Sequence, residues 1–485
     1  MTTSTQAAPV SLPAVFEEKT AWLTWTGRIL AVVIPVALWF APLSLEPRVQ
    51  HALAITSFMI VAWITEALDH ALTGLIGCYL YWALGVVKID LAFSGFADDT
   101  PWFLFGAVLF GGMAMKSGLA RRLAYLVMLR VGNTYSRLLL GIILSDFLLT
   151  FLVPSGMARV IIMAAVALGL MEVFGVGPGS NVGRGMFLVL TYTAGLFDKM
   201  VIAGAASITA RGWIEKAGHV EVLYSRWFLA YFPLTVITIL VAWRLTLWLY
   251  PPEKPALPGG TRHLKDELQK MGRWTAAEKK AAFLLLLAVV LWLTDFLHHI
   301  SPAMIGLGVG LAAALPRIGV LSIEDLKRVN YLPVFFVAAA VSMGKVLIST
   351  KALDVVTGFL FTWMEPLVHN VFISTLVLYW TAFVYHIFLA SEISMLGTSV
   401  PPLMNFALAH GLNPLTVGMI WTFAAGGKLF VYQSAVMIVG YSYGCFSGRD
   451  VLRIGVLLSL VESLLLLLLV PFYWPLVGIG SIGRL

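Results

Sequence analysis

Charge is what this chain has least of: Asp, Glu, Lys and Arg make up 12% of its 485 residues, about half the share of an ordinary soluble domain. With 60% hydrophobic residues and a mean hydropathy of +0.90, that shortage excludes a water-soluble globular fold and leaves an integral membrane protein. Cysteine is scarcer still. Cys78 and Cys445 stand alone in apolar segments with no ligand spacing around them, which argues against both a disulfide framework and a zinc site. The first 22 residues carry neither a basic n-region nor an apolar h-region, so they do not read as a secretory signal, and the first apolar span, 27–45, is expected to stay in the membrane. The net charge of +7 comes from basic loops rather than from basic runs alternating with aromatics, which argues against nucleic-acid binding. No HExxH, GxSxG or paired-Asp signature occurs. An intramembrane enzyme built on Glu/His or Asp/His pairs, the alternative of another class, therefore lacks a nucleophile or a metal beside them.

What the chain does have is apolar runs, among them 50–68, 136–153, 157–174, 185–203, 226–250, 332–349, 370–390 and 450–475. Several others are shorter than the roughly 20 residues that cross the hydrocarbon core as a helix. Short, Gly-interrupted pieces suit re-entrant hairpins and broken helices. Sixteen Trp, 15 Tyr and 29 Phe suit aromatic belts at two lipid interfaces. The one long polar stretch, 251–280, holds Lys254, Arg262, Lys265, Lys270, Arg273, Lys279 and Lys280 against Glu253, Asp266, Glu267 and Glu278. Its basic excess places it on the cytoplasmic side as a linker. The amphipathic stretch 119–132, with Arg121, Arg122 and Arg130, reads as a helix lying along an interface or as a basic extension of a membrane helix.

The chain also repeats itself. Trp63 and Trp292, Thr65 and Thr294, Glu66 and Asp295, His70 and His299, Lys116 and Lys345, and Lys199 and Lys428 are each 229 positions apart in similar surroundings. A duplicated unit follows, with this division: 1–49, tail and first transmembrane helix; 50–250, first repeat; 251–280, cytoplasmic linker; 281–485, second repeat and C-terminus. Two homologous membrane halves meeting around central polar groups are the architecture of a secondary transporter, with its solute held near the bilayer midplane.

Four segments interrupt the apolar pattern with small and hydroxyl residues: 153–159 (VPSGMAR) and 198–207 (DKMVIAGAAS) in the first half, 389–399 (LASEISMLGTS) and 424–435 (AAGGKLFVYQSA) in the second. A helix broken there exposes N-terminal dipoles that bind anions. The bland alternative, small residues packing helices closely in lipid, is weakened by four breaks at matching places. Lys199 and Lys428 are the sharpest pair, because an ammonium at the centre of a membrane helix costs roughly 2.5–3.5 kcal/mol and needs a partner or water. Either they bind an anion directly or they act as tethered cations supporting the binding loops. Snorkelling, or pairing of Lys199 with Asp198, is the structural alternative. Arg159 favours an anion too. Glu392 reads as a proton carrier or, preferably, as a fixed partner of Lys428 or Arg159. Glu66, His70, Asp295 and His299 read as helix-start chemistry, and Lys116 and Lys345 as helix ends.

Several stretches together carry a family resemblance: ALAITSFMIVAWITEAL, DDTPWFLFGAVLFGGMAMKSGLARRLAYLVMLRVG, the hairpin ending VPSGMAR, and GLNPLTVGM with SGRDVLRIGVLLSLV. The chain after residue 50 resembles the divalent anion/sodium symporter family, a branch of the ion transporter superfamily. The resemblance implies an all-α polytopic membrane protein with two inverted repeats, each with a re-entrant hairpin and a broken helix, working as an elevator-type transporter and a homodimer in the inner cell membrane. It implies a small divalent anion, dicarboxylate or sulfate, as solute. The family's Ser-Asn-Thr hairpin tips align with Ser155, Gly156 and Met157 and with Ser391, Glu392 and Ile393; its loops beyond the lysines fall at Gly204 to Ser207 and at Tyr432, Gln433, Ser434 and Ala435. The expected substrate-binding set is therefore Ser155, Gly156, Met157, Arg159, Lys199, Ser207, Ser391, Glu392, Lys428, Gln433 and Ser434. Where the family has Asn and Thr this chain has Gly, Met, Glu and Ile, and the Met and Ile side chains supply no oxygen for a hard cation. The expectation is sodium-independent transport, by exchange or coupled to protons through Glu392, with ordinary sodium symport as the alternative and no further cofactor.

Overall fold

The computed structural model describes residues 14–482 apart from Glu66, Pro154, Ala203, Leu257, Gly259, Gly260, Leu389, Ala390, Ser391 and Gly427. Among the described residues there are helices and no strands. The first set is α1 Ala14–Phe40, α2 Pro47–Thr65, α3 His70–Ala83, α4 Ile89–Ala92, α5 Asp99–Ser117, α6 Leu119–Val131, α7 Tyr135–Leu152, α8 Gly156–Phe174, α9 Asn181–Met200, α10 Ala205–Ala217 and α11 Tyr224–Leu249. After α12, Arg262–Lys270, come α13 Ala276–Leu293, α14 Asp295–His298, α15 Pro302–Ala312, α16 Ile323–Lys327, α17 Leu332–Thr350, α18 Ala352–Phe361, α19 Val371–Phe388, α20 Glu392–Ala409, α21 Pro414–Ala424, α22 Ala435–Ser442 and α23 Gly448–Phe472.

Side-chain caps start most of these helices. Asp69, Thr134, Ser155, Ser180, Ser301, Asn413 and Ser434 each accept a backbone N–H of the first turn, and Thr275 with Glu278 forms a reciprocal capping box on α13. Gly118 ends α5 in the left-handed region, at φ 79°, and turns the chain so that α6 departs at 67°. That bend suits the amphipathic α6 to an interface. Six segments among the described residues are long and apolar enough to cross a membrane, seven if α5 and α6 count as one bent span. Large apolar side chains such as Phe359, Leu476 and Trp248 point outward, while charges such as Asp146, Arg159, Lys199, Lys428 and Glu462 are buried.

The element order of α2–α11 recurs in α13–α23: two helices, a helix bent into a short one, a hairpin, a broken helix and a long helix. Contacts cross over between the two series. The hairpin α7–α8 packs on α9 and on α22, while the hairpin α19–α20 packs on α21 and on α10. Likewise α5 lies on α15 and α17 on α3. Ion pairs follow the same exchange: Lys116 of α5 reaches Asp325 of α16 at 2.5 Å, and Lys345 of α17 reaches Asp98, just before α5, at 3.0 Å. Lys116 is in the last turn of its helix, whereas Lys345 is inside α17 and marks no helix end. The segment 251–280 also makes fixed contacts. Glu253 caps α9 through the amides of Asn181 and Val182, and Glu278 binds Arg122 of α6.

Candidate functional site

Three of the predicted breaks, 153–159, 198–207 and 424–435, are breaks in the structure, each followed by a helix N-terminus facing inward; of the fourth, 389–399, residues 389–391 lie outside the described residues and the described chain resumes at Glu392 in α20. At the first, the α7–α8 tip is fixed from behind. Arg159, fully buried, donates through Nε to Asp146 at 2.9 Å, through Nη1 to Asp198 at 2.8 Å and to the Val153 carbonyl, and through Nη2 to the Ala194 carbonyl at 2.7 Å. Asp198 in turn accepts the Gly156 amide at 3.0 Å. The guanidinium thus ties α7, α8 and α9 together, and a buried charge satisfied in this way is costly to disturb. At the second break, between α9 and α10, Ser207 donates to the Asp198 carbonyl at 2.8 Å, and Trp227 donates to the carbonyl of Lys199 at 2.8 Å.

The other pair of breaks is built differently. Glu392 opens α20 and forms an ion pair with Lys199. The same ammonium donates to the Thr422 carbonyl at the end of α21, at 3.1 Å, where the helix presents its negative end. Lys428, in the loop between α21 and α22, donates to the Phe423 carbonyl at 3.2 Å and to Glu462 of α23 at 2.8 Å; Tyr379 of α19 donates to the same carboxylate oxygen at 2.8 Å. Gln433 turns its side chain back, its Oε1 accepting the amides of Leu429 and Phe430 at 3.0 Å each. The two lysines come close over Gly426. A Cβ there would lie 3.2 Å from Lys428 Nζ and 3.3 Å from Lys199 Cε, so both lysine side chains pass tightly over this position.

A cavity of 430 Å³ opens where the breaks meet. Ser155, Gly156 and Met157 come to it from the first tip, Gly204 to Ser207 from the second break, Glu392 and Ile393 from the other tip, and Ser434 to Val436 from the last break, with Lys199 and Asp198 between. The N-termini of α8, α10, α20 and α22 thus face one space. Part of their first-turn amides is taken by Asp198, Ser155 and Ser434, and the positive dipole ends of the four helices favour an anion. The opposite wall is made by α5 (Leu104, Ala107, Val108, Gly111, Gly112, Met115), with Pro333 of α17 and His70 of α3.

Of the expected substrate-binding residues, Ser155, Gly156, Met157, Lys199, Ser207, Glu392 and Ser434 line this cavity. Ser391 lies outside the described residues, as does Glu66. Arg159, Lys428 and Gln433 stand behind the wall. Arg159 is taken up by Asp146 and Asp198, Gln433 holds its own loop, and Lys428 borders only a small void of 20 Å³ that joins it to Lys199 and Glu392. Three pairings differ from expectation. Glu392 meets Lys199 rather than Lys428 or Arg159; Lys428 has its acid in Glu462; and Asp198 faces Arg159 instead of its neighbour Lys199. Asp295 does act at a helix start, that of α11, accepting the amides of Tyr224 and Ser225, whereas His70 begins α3 and also faces the cavity. Sequence reasoning missed Asp146 and Glu462, although each is an isolated acid in an apolar run, the signal that singled out the lysines.

The chain matches the family model described as the sodium:sulfate symporter transmembrane region over residues 23–479. It is similar to a protein of Cupriavidus necator named only as a membrane protein, 26% identical, with 88% of each chain covered. It is also similar to the L-tartrate/succinate antiporters of Shigella dysenteriae and Escherichia coli, each 25% identical over 92% of this chain and 97% of theirs.

Proposed function

The chain belongs to the sodium:sulfate symporter family, and from that premise we propose that it is a sodium-independent exchanger of small dianions, dicarboxylates foremost and sulfate second. The observation that carries this reading is the convergence of four helix N-termini and one ammonium, Lys199, on a single cavity whose tips carry Gly156, Met157 and Ile393. Those side chains offer a cation no oxygen and the one carboxylate at the tips, Glu392, is paired with Lys199, while the helix dipoles and the ammonium offer a dianion favourable charge. Lys199 serves as a cation fixed to the protein where a symporter would borrow one from solution. Lys428 supports it from behind. The name of the antiporter relatives, which joins two dicarboxylates in exchange, points the same way. The crossed contacts of the two helix series support two inverted repeats, with the hairpins and broken helices moving as one body against a frame of α2–α5 and α13–α17 in an elevator cycle. A homodimer in the inner membrane completes the proposal.

Reconstituted protein tests it. Liposomes loaded with unlabelled succinate or sulfate should take up the labelled anion at an unchanged rate when sodium is replaced by choline, and Lys199→Ala should lower uptake at least tenfold. Uptake that collapses in choline, or that survives Lys199→Ala, overturns this reading and restores sodium symport.

A further inference from the structure

Lys199 already has an anion. The Glu392 carboxylate stands at the first residue of α20, on the cavity wall, and holds the ammonium on which the proposed function relies. We propose that Glu392 is a tethered rival of the transported dianion, which claims Lys199 only when Glu392 takes up a proton. The inference rests on the reading of Lys199 as the anion anchor and adds the device that regulates it.

The argument is one of occupancy. Beyond Glu392, Lys199 donates only to the Thr422 carbonyl among the described contacts, so a dianion approaching from the cavity meets the ammonium where the carboxylate now sits. A displaced carboxylate would face a doubly charged solute in a space walled mostly by Gly, Ala, Leu, Val and Met, in which Lys199 is the one Lys or Arg of the lining. The other charges nearby are committed. Asp198 of α9 is held by Arg159 and the Gly156 amide; Lys428 by Glu462 of α23; His386 of α19 by the Gln433 carbonyl at 3.0 Å. On the elements packed against α20, Arg211, Glu215 and Lys216 of α10 and Lys345 of α17 belong to the cluster around Asp98 and Asp99. Asp354 of α18 binds Asn405, near the other end of α20, and Arg48 and His51 of α2 engage the Val86 carbonyl and Trp39. His70, across the cavity, is the remaining titratable group on the frame wall. Glu392 is therefore the group that must change state. A proton passes from cavity water to its carboxylate, Lys199 keeps its charge and turns to the dianion, and on release the carboxyl returns the proton and the pair re-forms. In strict exchange this proton crosses in both directions, so pH sets affinity on each side without itself driving transport.

The test is homo-exchange of labelled sulfate and of labelled succinate in liposomes, at equal internal and external pH stepped from about 7 to about 8.5, where both probes are dianions. The parent's KM should rise by up to about tenfold per pH unit, the slope of one linked proton, while Glu392→Gln should show a low KM that does not change with pH. In weakly buffered detergent solution, the parent should absorb about one proton per sulfate bound and the variant none. A parent KM that is flat in pH, or a slope that persists in Glu392→Gln, overturns the proposal while leaving the Lys199 reading intact; loss of dependence on Lys199 or a requirement for sodium overturns that reading instead. Should Glu392→Gln fail to fold, proton uptake by the parent decides alone, and Glu392→Asp should keep the slope.

Discussion

The lysines resemble one another in sequence and differ in what they face. Lys199 lines the large cavity with a carboxylate from a hairpin tip, whereas Lys428 is locked to Glu462 and Tyr379 behind it. A buried pair is costly to break from one side, by about 3–5 kcal/mol, because the remaining charge is stranded, and far less costly to remove whole. Lys428→Met should therefore destabilise the protein in detergent more than any cavity-lining substitution. Adding Glu462→Gln should recover more than half of the loss, since Tyr379 can still donate to the amide oxygen. Thermal melts of the parent, both single variants and the double variant check this. A double variant no more stable than Lys428→Met would mean that the pair does not hold these helices together.

At the scale of the element, the site is a set of helix starts, and their geometry depends on small residues. Gly156 has ordinary backbone angles, but a Cβ there would collide with the Asp198 carboxylate and come 2.8 Å from Val436 Cγ2. The first tip can close on α9 and α22 only because position 156 has no side chain. Gly156→Ala should thus cut uptake at least tenfold by pushing the tip from its neighbours. Ser155→Ala removes one cap, worth about 1 kcal/mol, and should raise KM only severalfold. Equal effects would show that the tip tolerates displacement and that the amides at its start do not bind the anion. Much of this level was legible in the chain. Gly, Ser and Lys inside apolar runs marked the breaks before α8, α10 and α22, and the 229-residue shift matched the broken helices to each other. What was not legible is which charges meet, because Glu392 lies 193 residues from Lys199, and Asp146, Arg159 and Asp198 come from three helices. Sequence neighbours such as Asp198 and Lys199 take different partners, Arg159 and Glu392, so adjacency does not tell which charges pair.

For the whole molecule the open question is which parts move. The joint between the α10 end and the α5 start is rich in charge: Lys216 binds Asp98, reaches Asp99 at 2.7 Å and Thr100 at 3.0 Å, and Arg211 adds Ser301 at 3.5 Å. Burial raises the pKa of the Asp98 carboxyl, but Lys216, the Thr100 amide and Lys345 outweigh it and bring it from 3.8 to about 2. A depressed acid of this kind contributes fully above its ordinary value and is lost only as pH falls through about 2. The joint therefore stays constant between about pH 7 and 8.5 and cannot supply the pH dependence assigned to Glu392. In an elevator cycle α10 belongs to the moving body and α5 to the frame, so this joint has to part. Gly212 and Thr100 offer a way to prevent that, since a Cβ on Gly212 would lie 3.2 Å from Thr100 Cβ, close to the 3.5–4.5 Å of a disulfide. Thr100→Cys with Gly212→Cys, in a background with Cys78 and Cys445 replaced by Ala, should lose exchange on oxidation and regain it on reduction, while neither single cysteine changes its own rate of exchange on oxidation. If the oxidised pair, shown by gel shift to be cross-linked, still exchanges succinate, then α5 and α10 travel together, and the dividing line between frame and moving body runs elsewhere.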